Sequence, residues 1–301
     1  MSTSMEAGIS RAVQSRHRER GLVLRFIAAQ PLGAAGLLVI LLMAAAAIFA
    51  DLLAPYDPEA IDFASMLAPP SAEHFLGTDA FGRDILTRLL YGARTALSIG
   101  FLSSFLGCTA GGLLGVASAY FGGRVDLLLQ RLVDIVLCFP IIVLALVMVA
   151  VVGHRPLLGI DLNLVAAIAI PIVPRAARVV RAAALSVRAM PYIDAARAGG
   201  YGHVHIILRH MAPNVAAPYL ILLTAYIAQA ILLEASLSFL GLGVVEPKPA
   251  WGLMLAGDSS NFYQEAPWMI LFPGLAISLA VFAFNLFGDA LRDWLDPKFR
   301  T

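Results

Sequence analysis

Lysine is nearly missing from this 301-residue chain, which has Lys248 and Lys298 and no others. Neither follows a glycine in the pattern G-x-x-x-x-G-K-[ST], so the chain carries no phosphate-cradling loop and does not hydrolyse ATP itself. Cysteine is equally scarce. Cys108 and Cys138 both fall inside apolar runs, where they read as small packing residues and not as a disulfide framework or a metal site. Charge is low throughout: 14% of residues are Asp, Glu, Lys or Arg, against about a quarter in water-soluble domains. A formal net charge of +1 makes no case for nucleic acid. No Ser-His-Asp or Cys-His arrangement and no HExxH helix is present, which leaves an intramembrane enzyme without candidate catalytic residues. No internal repeat is visible, and the mid-membrane polar residues are mostly neutral, which argues against an ion-coupled secondary carrier.

Hydrophobic residues make up 60% of the chain, gathered in blocks of about 20, the length a helix needs to cross a bilayer. The fold expected is all-α: a polytopic membrane protein with six transmembrane helices, at 31–50 and at about 93–120, 127–152, 162–180, 215–237 and 268–287. Residues 1–30 read as a cytoplasmic tail with Arg11, Arg16, Arg18, Arg20 and Arg25, and 31–50 as an uncleaved signal-anchor. Residues 51–92 are polar, acidic and rich in proline, and are expected to pack over the outer mouth, with Thr78 or Asp79 capping the helix that enters the second span. That span has a small-residue face (Ser103, Ser104, Gly107, Gly111, Gly112, Gly115) suited to close helix packing. Pro140 is expected to bend the third span. With both termini inside, all but five of the 21 Lys and Arg residues fall on the inner side, as the positive-inside rule requires.

The longest polar interruption in the second half is 191–214, PYIDAARAGGYGHVHIILRHMAPN. Pro191 and Asp194 suit a helix start, Ala195 to Ala198 propagate it, and Gly199-Gly200 break it. A second short helix is expected over 204–209, stopped by Pro213. A helix–glycine–helix elbow between two spans suits docking against another protein.

This stretch resembles the cytoplasmic coupling loop, or EAA loop, of ABC importer membrane subunits. Asp194-Ala195-Ala196 stands for Glu-Ala-Ala, Gly200 falls at the expected place and Pro213 closes the pattern, while Asp194, His210 and Ala212 depart from the commonest residues there. The run Tyr192 to Ala198, with Arg209-His210 and Pro213-Asn214, is similar to the peptide and nickel branch of that family. So are Leu76-Gly77-Thr78-Asp79, Gly82-Arg83-Asp84, Arg88 and Gly92-Ala93-Arg94. The same holds for Glu234 to Gly243, Trp251-Gly252, Asn285 to Asp289 and Leu295-Asp296-Pro297.

The resemblance implies a type I ABC importer permease fold, with a core over 93–301 and a coupling loop over 181–214. It implies ATPase-coupling residues at Pro191, Tyr192, Asp194, Ala195, Ala196, Arg197, Ala198, Gly200 and Pro213. It further implies a second homologous permease subunit, two cytoplasmic ATPase subunits that bind ATP and Mg, and an extracytoplasmic solute-binding protein. This chain itself would hold no cofactor and would sit in the bacterial inner membrane. Short peptides are the default cargo; nickel or another small solute, a secondary carrier and a non-transporting membrane subunit are the alternatives. Thr224, Gln229 and Glu234 are candidates for the translocation path, although Glu234 also suits a brace at the outer end of the fifth span. Asp134 is expected to pair with Arg131, and Asn285 and Asp289 to tie the last span to its neighbours. His203, His205 and His210 have no strong metal-site spacing.

Overall fold

The computed structural model describes residues 22–153, 156–157 and 160–295. The tail arginines up to Arg20 and the terminal Asp296-Pro297 lie outside the described residues. The short amphipathic helix α1 (Leu22–Ala29) leads to α2 (Pro31–Ile48), opened by Pro31, whose missing N–H has no intrahelical role in the first turn. A helical turn at Ala50–Leu53 and an irregular segment to Asp84 follow. Next come α3 (Ile85–Phe121), α4 (Gly123–Leu137) and α5 (Ile141–Val152). A two-residue antiparallel ladder, β1 (Pro156–Leu157) with β2 (Ile160–Asp161), joins α5 to α6 (Leu162–Arg188). Then come α7 (Pro191–Ala198), α8 (His203–Ile206), a π turn at Ile207–Met211 and α9 (Ala212–Phe239). The chain closes with α10 (Trp251–Met254), a turn at Asp258–Asn261 and α11 (Trp268–Leu295).

Among the described residues, five helices are long and apolar enough to cross a membrane, and six if α4 and α5, bent by 87° at the break between them, are counted as one span. The break sits at Cys138-Phe139-Pro140, where Pro140 starts a new helix because its ring and missing N–H cannot continue the old one.

Helix contacts follow the small residues. Gly107, Gly111 and Gly115 share one face of α3 and lie against the backbone of α6. A Cβ at Gly107 would come 2.7 Å from the Ala169 carbonyl, and one at Gly115 2.5 Å from the Ala177 carbonyl. This is small-residue packing of the kind that associates helices in lipid. Gly33 and Gly36 bring α2 equally close to Ala290 and Ala283 of α11. The rest of α2 is largely exposed and apolar on all sides, as suits contact with hydrocarbon. Toward the 51–84 end, Trp251 is buried between α3 and α9, its Nε1–H donating to the Leu89 carbonyl at 3.0 Å.

Four expectations are corrected. Helix α3 is capped by Asp84, whose Oδ2 accepts from the Thr87 N–H at 2.8 Å, and not by Thr78 or Asp79. Thr78 instead accepts from the Ala68 N–H (2.8 Å), and Asp79 grips Arg83 (2.6 Å). Pro213 does not stop a helix: it lies in the first turn of α9, and the path from His203 to Phe239 is continuous. The π turn before Pro213 loosens the ladder where a proline cannot donate, so the helix passes through. Asp134 pairs with Arg178 of α6 and not with its neighbour Arg131. Asn285 and Asp289 are exposed and do not tie α11 inward.

Candidate functional site

Helix α7 occupies a prepared seat at the 191–214 end of the bundle. Its buried face is Ile193 and Ala196, three residues apart and therefore on one side of a helix. They join a cluster with Val116, Ala119 and Tyr120 of α3, Val180 and Ala184 of α6, and Met211 and Val215. Pro191, Tyr192, Asp194, Ala195, Arg197, Ala198 and Gly200 are exposed on the other side. Asp194 stands in the first turn and Arg197 in the last, the favourable order for the helix dipole, and they pair at 3.3 Å. Arg197 also lies over the Tyr120 ring, 5.3 Å from its centroid.

The helix ends in a Schellman closure. The Tyr201 N–H donates to the Ala196 carbonyl (3.2 Å) and the Gly200 N–H to the Arg197 carbonyl (3.0 Å). Gly200 sits at φ +78°, the left-handed conformation this closure needs. A ring of aromatic and imidazole groups surrounds the turn: Tyr120 Oη is 2.8 Å from His203 Nδ1, and Tyr201 stacks on His205 at 4.7 Å.

Two guanidinium contacts hold the helices that carry this seat. Arg181 of α6 grips Asp126 of α4 through Nε (2.6 Å) and Nη2 (2.5 Å), a fork-on-carboxylate arrangement. Arg188 donates to the Ala119 carbonyl at 2.7 Å, fixing the end of α6 to the end of α3. Tyr120, Arg188 and Ile193 are the contributors that sequence reading passed over. Ile193, an apolar residue in a polar stretch with Ala196 three places on, was the available signal.

Thr224, Gln229 and Glu234 do not line one surface. Each step of five residues turns the helix by about 140°. Thr224 is buried against Gly288 of α11, Glu234 is sealed within the chain, and Gln229 faces outward. Glu234 accepts from Ser238 Oγ at 2.7 Å, and Ser238 Oγ in turn accepts from the Val244 N–H at 3.1 Å. That relay braces the loop after α9. Of the three, Gln229 alone is exposed. Among the described residues no group of three His, Cys, Asp or Glu side chains could hold a metal ion.

A bundle of membrane-length helices that presents a capped, exposed helix on a packed seat is the architecture of a multi-pass membrane protein with a docking element. Comparison with known proteins makes the class specific: the chain belongs to the family described as binding-protein-dependent transport system inner membrane component, matched over residues 111–301. Residues 21–70 match the N-terminal transmembrane domain of oligopeptide transport permease C. A dipeptide transport system permease protein of Alkalihalophilus pseudofirmus is 45% identical over 88% of this chain and 86% of its own. A glutathione transport system permease protein of Pectobacterium atrosepticum is 40% identical over 92% and 90%. A probable D,D-dipeptide transport system permease protein of Escherichia coli is 39% identical over 89% and 88%. In fold, the chain is similar to a methionine ABC transporter solved in inward-facing conformations: TM-score 0.51 and 18% identity, over 69% of this chain and 97% of that one. The chain is thus a multi-pass inner-membrane permease subunit of an ABC importer, with the type I permease fold.

Proposed function

We propose that this chain is one of two homologous membrane halves of an ATP-driven importer of short peptides. Both termini and the 191–214 end face the cytoplasm, and the 51–84 segment faces a solute-binding protein outside. The observation that carries this reading is the seating of α7: Ile193 and Ala196 anchor it in the bundle while Tyr192, Asp194 and Arg197 are offered outward. A helix anchored on one face and free on the other can dock into a groove of an ATPase subunit and pass its movement to α3, α6 and α9. Clustering of Arg175, Arg178, Arg181, Arg188, Arg197 and Arg209 toward that end supports the orientation. Peptide cargo is supported by the dipeptide and glutathione permeases among the relatives. ATP and Mg belong to the partner subunits, since this chain has no phosphate-binding loop.

In the cycle proposed here, ATP binding closes the ATPases, α7 is drawn with them, and the helices open toward the binding protein; hydrolysis restores the inward-open state. Purification of the chain from its native membrane tests this. The expected result is a complex with a second permease and two ATPase chains, whose ATP hydrolysis rises when peptide-loaded binding protein is added. A chain that purifies with no ATPase partner would overturn the reading.

A further inference from the structure

Two separate parts of the chain meet at the end of the bundle opposite α7. One is the 51–84 segment with the start of α3; the other is the strap 240–250 between α9 and α10. A closed set of four charges joins them. Asp79 Oδ1 accepts from the backbone N–H groups of Phe81 and Arg83 at 2.8 and 3.0 Å. Its Oδ2 takes Arg83 Nε at 2.6 Å and faces Arg88 Nε at 3.8 Å. Glu246 completes the set, with Oε2 2.8 Å from Arg83 Nη1 and Oε1 3.6 Å from Arg88 Nη2.

The members differ in origin and exposure. Asp79, Arg83 and Arg88 lie within ten residues of one another, and their side chains are at most 12% exposed. Glu246 arrives from 163 residues beyond Arg83, and its side chain is 48% exposed. Without it, two buried guanidiniums share one carboxylate whose oxygens are already in use, and an uncompensated buried charge is costly. Charge balance therefore holds the strap down. Packing beside the joint contributes less: a cavity of about 550 Å³ opens there, lined by Ile61 and Phe81 from one part and by Leu253 and Met254 from the other. Walls that face a void gain no dispersion contact across it. Further ties of the strap include single hydrogen bonds, from the Val244 N–H to Ser238 Oγ (3.1 Å) and from Thr95 Oγ1 to the Pro249 carbonyl (3.0 Å).

The strap also continues directly from α9. The helical path that ends at Phe239 starts at His203, and its Met211 and Val215 belong to the seat of α7. A shift of α7 thus reaches the strap along one continuous helix. We propose that Glu246 is a latch: it holds the strap closed over Arg83 and Arg88 in the arrangement seen here, and withdraws from them when the 51–84 end opens. This rests on the import reading above, in which α7 moves with the ATPases.

The test uses the complete permease–ATPase complex in nanodiscs, assembled with cysteine-free partner subunits. Phe63→Cys and Val245→Cys, both exposed and on either side of the joint, carry spin labels in a Cys138→Ser background; Cys108 is buried. Their separation is measured by double electron–electron resonance. Without ATP, the native complex is expected to sit almost entirely at a short distance, and at a longer one when trapped with ATP, vanadate and binding protein. Glu246→Gln keeps the shape and removes the charge. It is expected to raise the fraction at the longer distance about tenfold without ATP, the scale of one lost charge-assisted contact. Thr95→Val removes a neutral tie of the same strap and is expected to match the native complex. A native distribution in Glu246→Gln, or equal opening in Thr95→Val, would overturn the latch. Stimulation of ATP hydrolysis by loaded binding protein, measured on the same preparation, checks the import reading independently. Stimulation with no lengthening in the trapped native complex overturns the latch alone, while absence of both overturns import as well.

Discussion

Gly200 offers the sharpest test of how α7 is held. A side chain there would meet nothing within 4 Å, so a substitution creates no clash. The cost is conformational: at φ +78° an ordinary L residue loses about 1–2 kcal/mol relative to its preferred regions. Since 1.4 kcal/mol is a factor of ten, Gly200→Val should shift the closed turn against its alternatives by roughly 5- to 30-fold. The turn sits at the surface, so the bundle itself should fold and insert normally. Gly200→Asn tolerates the left-handed region and should retain most of the closure. The assay is uptake per ATP hydrolysed in proteoliposomes holding the whole complex. Gly200→Val is expected to hydrolyse ATP with little uptake, and Gly200→Asn to stay near the native ratio. If the two variants behave alike, or if Gly200→Val transports normally, backbone conformation at this turn is not what couples α7 to the rest.

Ile193→Ala removes the main anchor of α7 and should cost about 2–5 kcal/mol locally, the range for emptying a packed aliphatic site; limited proteolysis should then cut within 189–202 while the rest of the chain stays protected. Asp126→Asn, which keeps the shape but removes the charge facing Arg181, should destabilise α4 against α6 by about 1–3 kcal/mol, seen as a lower Tm in detergent. A double-mutant cycle with Arg181→Gln should show strong coupling between the two positions. Asp51 is held below the usual carboxylate range by hydrogen bonds from Arg94 and then Tyr91. Its contribution is therefore complete above the ordinary carboxylate pKa and is lost as pH falls through the lowered value in the folded state. The difference in Tm between native protein and Asp51→Asn should be largest near neutrality and close in acid.

What could be read from sequence was local in character. Apolar blocks of bilayer length marked the crossing helices, and Gly107, Gly111 and Gly115 at four-residue spacing marked a packing face that does lie on α6. The α7 turn was legible because helix start, helix formers and glycine stop all fall within ten residues. Contacts between distant segments were not. Asp134 has Arg131 one turn away, yet its partner Arg178 is 44 residues on, and nothing short of the packing of α4 on α6 selects it. Arg83 meets Glu246 across 163 residues. The cap of α3 was misplaced because Thr78, Asp79 and Asp84 all qualify by type, and the loop fold alone decides among them. Pro213 misled for a different reason: a proline breaks a regular helix, whereas the π turn before it had already loosened the ladder.

Helix α3 has 37 residues, a rod of about 55 Å at 1.5 Å per residue, well beyond the roughly 30 Å of a hydrocarbon core. One end, at Ile85 and Arg88, packs beside Asp79, Arg83 and Glu246; the other, at Val116 and Tyr120, forms the floor beneath α7. The same unbroken helix therefore meets both ends of the protein. Such a rod is a lever: a tilt of about 10° at one end sweeps the other through roughly 10 Å. Leverage of that size needs no relay of side chains through the membrane, and it makes the stiffness of one helix a quantity on which the timing of both ends depends.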